Sequence, residues 1–164
     1  MRLTRSVPRL APIVALASAA FVGACNDEES VAPEPERYVL ALTGAAERPT
    51  PVVTAASGSA VLTVRGADSI EYLIYVSAGD SITASHIHAG DANSTGPIMV
   101  FTFGGPVTGR VDGLFRFGYI TRGGTFSGAF TFDSVLTRMR NGTAYLNVHT
   151  RRHAPGEIRG QIVR

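Results

Sequence analysis

The sequence contains no lysine and no tryptophan, and its 164 residues include a single cysteine, at position 25. One cysteine excludes an intrachain disulfide, so the fold must hold by core packing or with the help of a metal. With lysine absent, all 15 basic residues are arginines. Arg2, Arg5 and Arg9 fall at the very start, with no acid beside them. Beyond residue 24, twelve arginines face thirteen acids, a net charge of −1. The formal charge of +2 for the whole chain is therefore a property of its first residues, and nucleic acid is not expected as a partner. Signatures of catalysis are missing as well. There is no serine–histidine–acid arrangement in recognisable context, no phosphate-binding loop and no suggestive pair of carboxylates, so hydrolase and nucleotide-binding readings find no support.

No apolar run is long enough to span a bilayer. The run from Leu10 to Ala24 follows the three arginines, is interrupted by Pro12, and stops short of the ~20 residues a spanning helix needs. It ends in Val22-Gly23-Ala24-Cys25, small residues directly before a cysteine, which is the cleavage pattern of bacterial lipoproteins. Residues 1–24 are therefore expected to be a lipoprotein signal peptide and Cys25 the lipidation site. That reading places the protein in the cell envelope, held to a membrane by its lipid. Residues 25–37 are acidic, contain Pro33 and Pro35, and have little to bury. They read as an extended tether.

From Tyr38 the texture changes to short β-rich runs punctuated by Gly, Pro, Asp, Asn and Ser. This is the pattern of an antiparallel β-sandwich or barrel, all-β, of about eight or nine strands. Strands are expected near Tyr38–Leu42, Gly58–Val64, Ile70–Val76, Ser81–His88, Ile98–Phe103, Leu114–Ile120, Thr125–Phe132, Ala144–Thr150 and Glu157–Val163. In the seventh of these, Phe126, Phe130 and Phe132 would turn one aromatic face to the core. One short helical turn is expected at Ser134–Arg140, capped by Asp133 or Ser134, with Leu136 and Met139 inward and Gly142 as its stop.

Two segments carry polar residues at strand-like spacing. In Ser85-His86-Ile87-His88, period-2 alternation puts both histidines on one face and Ile87 on the other. In Tyr145-Leu146-Asn147-Val148-His149, Leu146 and Val148 oppose Tyr145, Asn147 and His149. In the last strand Ile158 and Ile162 oppose Glu157, Arg159 and Gln161. Spacing alone does not say whether these polar rows meet. His-x-His on a strand is a two-point donor for a transition metal, and His149 would supply a third imidazole. His86, His88 and His149 are the candidate metal ligands, for copper or zinc. Asn147, Glu157 and Arg159 are in support, Glu157 as a ligand or as an orienter of a ring. The competing reading is a polar network that fixes strand register, including an ion pair between Glu157 and Arg159. His153 reads as a solvated loop residue.

The same segments carry a family resemblance. Leu42-Thr-Gly44-Ala-Ala-Glu47-Arg-Pro49, then Thr54-Ala-Ala56-Ser-Gly58, His86-Ile-His88-Ala-Gly90, Gly96-Pro97, Tyr145-Leu-Asn147-Val-His149-Thr150 and Gly156-Glu-Ile-Arg-Gly-Gln161 follow the motif order of the CHRD (chordin-type) domain over Tyr38–Val163. The departures are Thr50 between expected paired prolines and Pro155 directly before Gly156, both in turns. Residues 38–164 thus resemble one CHRD-like β domain. The resemblance implies an extracytoplasmic module and brings no defined activity with it. The chain is expected to be a non-enzymatic binding or interaction module with an envelope or extracellular protein as partner. The alternative is a copper or zinc protein, or a redox enzyme of the superoxide dismutase type, using His86, His88 and His149. The fragment His86-Ile-His88-Ala-Gly90-Asp91 resembles one copper-site strand of those dismutases, but their further histidines and disulfide have no counterpart here.

Overall fold

The computed structural model describes residues 34–164; the expected signal peptide, Cys25 and the tether up to residue 33 lie outside the described residues. Strands β1 (Arg37–Thr43), β2 (Ser57–Arg65), β3 (Ser69–Asp80), β4 (Ile82–Ala89), β5 (Ile98–Gly104), β6 (Arg110–Thr121), β7 (Ala144–Thr150) and β8 (Ile158–Gln161) form one antiparallel sheet. Its order is β5-β4-β7-β8-β1-β2-β3-β6. A helix α1 (Phe132–Arg140) joins β6 to β7, and a 3-10 turn, Gly44–Ala46, follows β1. No described helix is long and apolar enough to cross a membrane.

Alternation drives the sheet to curl. In β1, Tyr38, Leu40 and Leu42 are buried while Arg37, Val39, Ala41 and Thr43 face outward. Leu40 lies opposite Ala60 of β2, which lies opposite Ile74 of β3, and all three are buried. Each large side chain of this kind contributes roughly 1.5–3 kcal/mol by leaving water. The apolar face closes on itself until the edge strands meet. Phe103 of β5 packs its ring edge against Phe115 of β6, centroids 5.1 Å apart, and the Tyr72 hydroxyl of β3 donates to the Thr102 carbonyl of β5 across 2.9 Å. The result is a nearly closed barrel, as the alternation predicts.

Thr125–Phe132 is not a strand. Gly123, Gly124 and Gly128, the last with φ +59°, break extended pairing there. Phe126 and Phe130 still pack on the core from the loop, and Phe132 is buried from within the helix. The aromatic contribution survives without the strand. α1 begins two residues earlier than expected because Thr131, not Asp133 or Ser134, is the N-cap: its hydroxyl accepts from the Ser134 backbone N–H, and Ser134 Oγ accepts in return from the Thr131 N–H. Its far end closes as a Schellman turn, with Gly142 N–H to Met139 O and Thr143 N–H to Arg138 O, and Gly142 at φ +67°. Thr131→Ala is expected to lower stability by about 1 kcal/mol, read as a shifted denaturant midpoint at unchanged slope.

β8 is shorter than expected, though Glu157 N–H to Val148 O and Ile162 N–H to Ala144 O carry the pairing beyond both its ends. The folded domain begins before Tyr38. The Glu36 carboxylate accepts from Arg140 at 2.8–3.1 Å, and the Glu36 carbonyl accepts from Val64 N–H.

Candidate metal centre

Strands β4, β7 and β8 are neighbours, and their register joins the polar rows. His86 lies opposite Asn147, which lies opposite Arg159; His88 lies opposite Tyr145, which lies opposite Gln161. Ile87, Leu146, Val148 and Ile158 belong to the barrel core, so this polar row occupies the outer face of the sheet. Yet β7 is buried along its whole length. Its outer face is roofed by the loops after β1, after β4 and after β7.

Under that roof the three histidines converge. One nitrogen from each of His86, His88 and His149 lies within 4.8 Å of the other two. His88 Nδ1 faces the Gly96 carbonyl at 3.0 Å, and His149 Nδ1 faces the Ala154 carbonyl at 2.9 Å. A carbonyl only accepts, so both Nδ1 atoms carry the hydrogen and both Nε2 atoms present a lone pair. His149 Nε2 meets His86 Nδ1 at 2.9 Å. That leaves His86 Nε2 and His88 Nε2 buried with no hydrogen-bond partner. Two nitrogens at right angles on an ion with 2.0–2.1 Å bonds stand about 2.9 Å apart, so the His86–His149 spacing suits shared ligation.

The electrostatics keep the rings neutral. Burial pushes His86 down to about 4, helped by the adjoining His149 and His88. Burial likewise lowers His88 and His149, against the hydrogen bonds they donate to the Gly96 and Ala154 carbonyls, which act the other way. Neutral imidazole is the form that binds metal. Packing fixes the rings: Phe101 sets its edge on His86 at 4.3 Å between centroids, and Tyr145 stacks on His88 at 4.8 Å and 6°.

The supporting residues divide into three roles. The Arg159 guanidinium lies 3.5 Å from the Tyr145 ring centroid and donates to the carbonyls of Ser94 and Asp91 at 2.9 and 2.6 Å. Gln161 Nε2 donates to Gly90, Gly142 and Ala144 carbonyls. Together they staple the loop after β4. Gly96 completes it, its N–H donating to Tyr145 Oη while its carbonyl holds His88. A Cβ at Gly96 would collide with the Ala89 carbonyl, which accounts for glycine there. Asn147 Nδ2 donates to both carboxylate oxygens of Glu47, at 2.8 and 3.0 Å. Burial raises Glu47 to about 7, opposed by that Asn147 bond.

Glu157 stands apart. Its carboxylate accepts from the Thr54 hydroxyl and is not among the converging donors, and no ion pair with Arg159 forms among the described residues. The buried acid of this cluster is Glu47, which the motif Leu42–Pro49 contains but which strand spacing does not mark. His153 lies outside the three-histidine group and is half-buried in its turn.

The CHRD domain family model matches residues 38–162. No curated protein and no solved structure matches the chain.

Proposed function

The chain belongs to the CHRD domain family, and from that premise we propose that it is a non-enzymatic binding module whose ligand is a single transition-metal ion, copper or zinc, held by His86, His88 and His149. One observation carries this reading. Two buried imidazole nitrogens, His86 Nε2 and His88 Nε2, have no partner, in a cluster whose nitrogens converge within 4.8 Å. A register network accounts for the bonds to Gly96 and Ala154 but leaves those lone pairs unsatisfied, at a cost of about 1–3 kcal/mol each. A bound ion takes the His88 Nε2 lone pair and reaches His86 through Nδ1, the nitrogen 2.9 Å from His149 Nε2. The Nδ1–carbonyl contacts are then the outer bonds that orient metal-ligating histidines. The three rings are 6–9 % exposed, which favours holding an ion over turning over a substrate at it. In this proposal the domain works at the cell envelope, anchored through lipid on Cys25 and open to an envelope or extracellular protein partner.

The full chain, purified in detergent without an affinity tag and titrated with copper or zinc, is expected to retain close to one equivalent of metal by elemental analysis. His86→Ala and His149→Ala are expected to lose it while keeping the β-sheet circular dichroism spectrum. A folded chain that takes up neither metal would sink the proposal and return the histidines to a structural role. Cys25→Ser is expected to move the protein from the membrane fraction to the soluble one.

A further inference from the structure

We infer that the ion this site selects is copper in its monovalent state, an inference that rests on the metal-binding proposal and adds the identity and charge of the metal. The first observation is the donor set. All three converging donors are neutral imidazoles, with no carboxylate or thiolate in the group. Nothing among the three donors therefore cancels the charge of the ion.

The surroundings push the same way. The edge of Phe101 and the face of Tyr145 line the rings. Arg159, 2 % exposed, holds a fixed positive charge against Tyr145, whose ring stacks on His88. The buried acid nearest in the network is Glu47, reached only through Asn147. Desolvation energy grows with the square of the charge. A divalent ion therefore loses about four times as much on entering this dry, positively flanked pocket as a monovalent one. Alkali ions are monovalent too, but they seek oxygen ligands, whereas imidazole suits copper.

Coordination number agrees. Zinc with three protein ligands takes a fourth donor, usually water, and nearly tetrahedral angles. Here the described residues offer three nitrogens in the cluster, each ring at least nine-tenths buried, and no carboxylate or thiolate joins them.

The test uses the full chain carrying Cys25→Ser, so that no thiol competes, kept anaerobic with ascorbate in detergent. Copper(I) is titrated against a chromophoric copper(I) chelator, and zinc is then added in hundredfold excess. One equivalent of copper(I) that zinc fails to displace, with the X-ray absorption edge of a three-coordinate copper(I) ion, is the expected result. Displacement by zinc, or a bound copper that is stable only as paramagnetic copper(II), overturns the inference and leaves the metal-binding proposal standing. Uptake of neither metal overturns both. Phe101→Asp supplies an independent check, since Phe101 is half exposed on an edge strand and its ring touches His86. The added negative charge is expected to shift the zinc-to-copper(I) affinity ratio toward zinc by about tenfold. An unchanged ratio in a folded variant would show that charge does not set the selectivity.

Discussion

Arg159→Met is expected to lower the stability of the domain by about 3 kcal/mol, although the new side chain has similar length and full apolar character. Arg159 is 2 % exposed and sits in the middle of the polar row. Its guanidinium makes charge-assisted bonds to the Ser94 and Asp91 carbonyls, each worth about 1.5–3 kcal/mol, and lies against Tyr145. Burial costs it desolvation and draws its pKa downward, which offsets part of that sum. Methionine recovers the packing and none of the bonds, so the loop after β4 loses its anchor. Gly96, whose carbonyl holds His88, belongs to that loop. Denaturant titration measures the loss, and metal affinity is expected to fall with it as His88 is released. Arg159→Lys keeps the charge but not the fork that reaches two carbonyls, and an intermediate loss is expected. Equal stability in Arg159→Met would mean that Gln161 and Tyr145 hold the loop unaided.

Acidification from pH 6.5 toward 4 is expected to destabilise the metal-free domain steeply. In the unfolded chain the histidines titrate near 6.5, whereas burial holds folded His86 down at about 4 and lowers His88 and His149. A depressed folded pKa contributes stability that is complete above the unfolded value and is lost as pH falls toward the folded one. For His86 alone this amounts to about 3 kcal/mol. Glu47 acts in the opposite sense. Its folded pKa is raised to about 7, so its contribution is complete below the ordinary carboxylate value and disappears as pH rises through 7. Three histidines outweigh one carboxyl between pH 4.5 and 6.5, and maximal stability is expected close to pH 6.5–7. Urea midpoints at pH 7 and pH 5 test this, and His86→Phe should flatten the difference. Equal midpoints at the two pH values in the wild-type domain would show that the histidines are not held neutral by burial.

Much of this was legible before the fold. Alternation in Gly58–Val64 and Ala144–Thr150 assigned both faces correctly, because a strand's period of two leaves little freedom once apolar residues mark the inside. The aromatic spacing of Phe126, Phe130 and Phe132 satisfied the same rule and misled, since an apolar period does not register that glycines beside it forbid pairing. The capping box at Thr131 and Ser134 lacks the usual acidic partner and is correspondingly quiet in the sequence. At the site, His86 with His88, and Asn147 with His149, were visible as pairs. That the two pairs adjoin depends on β4 lying beside β7, a neighbour relation between non-consecutive strands that local pattern does not encode. Glu47 escaped for the same reason, its partner Asn147 being 100 residues away along the chain. Glu157 invited a role by sitting two residues from Arg159, but it precedes β8 and turns to Thr54 instead.

The place of β8 in the sheet has a bearing on how the molecule is made. The strand occupies the centre of the sheet order, between β7 and β1, yet it follows the other seven strands in chain order. Without it, β5-β4-β7 and β1-β2-β3-β6 are two ribbons that no strand pairing joins, in touch where Phe103 packs on Phe115 and Tyr72 bonds to Thr102. Closure then waits for β8 and for contacts of large sequence separation, a topology that folds slowly. Loss of β8 would leave two half-sheets for proteases to clear, in place of a slightly narrower barrel.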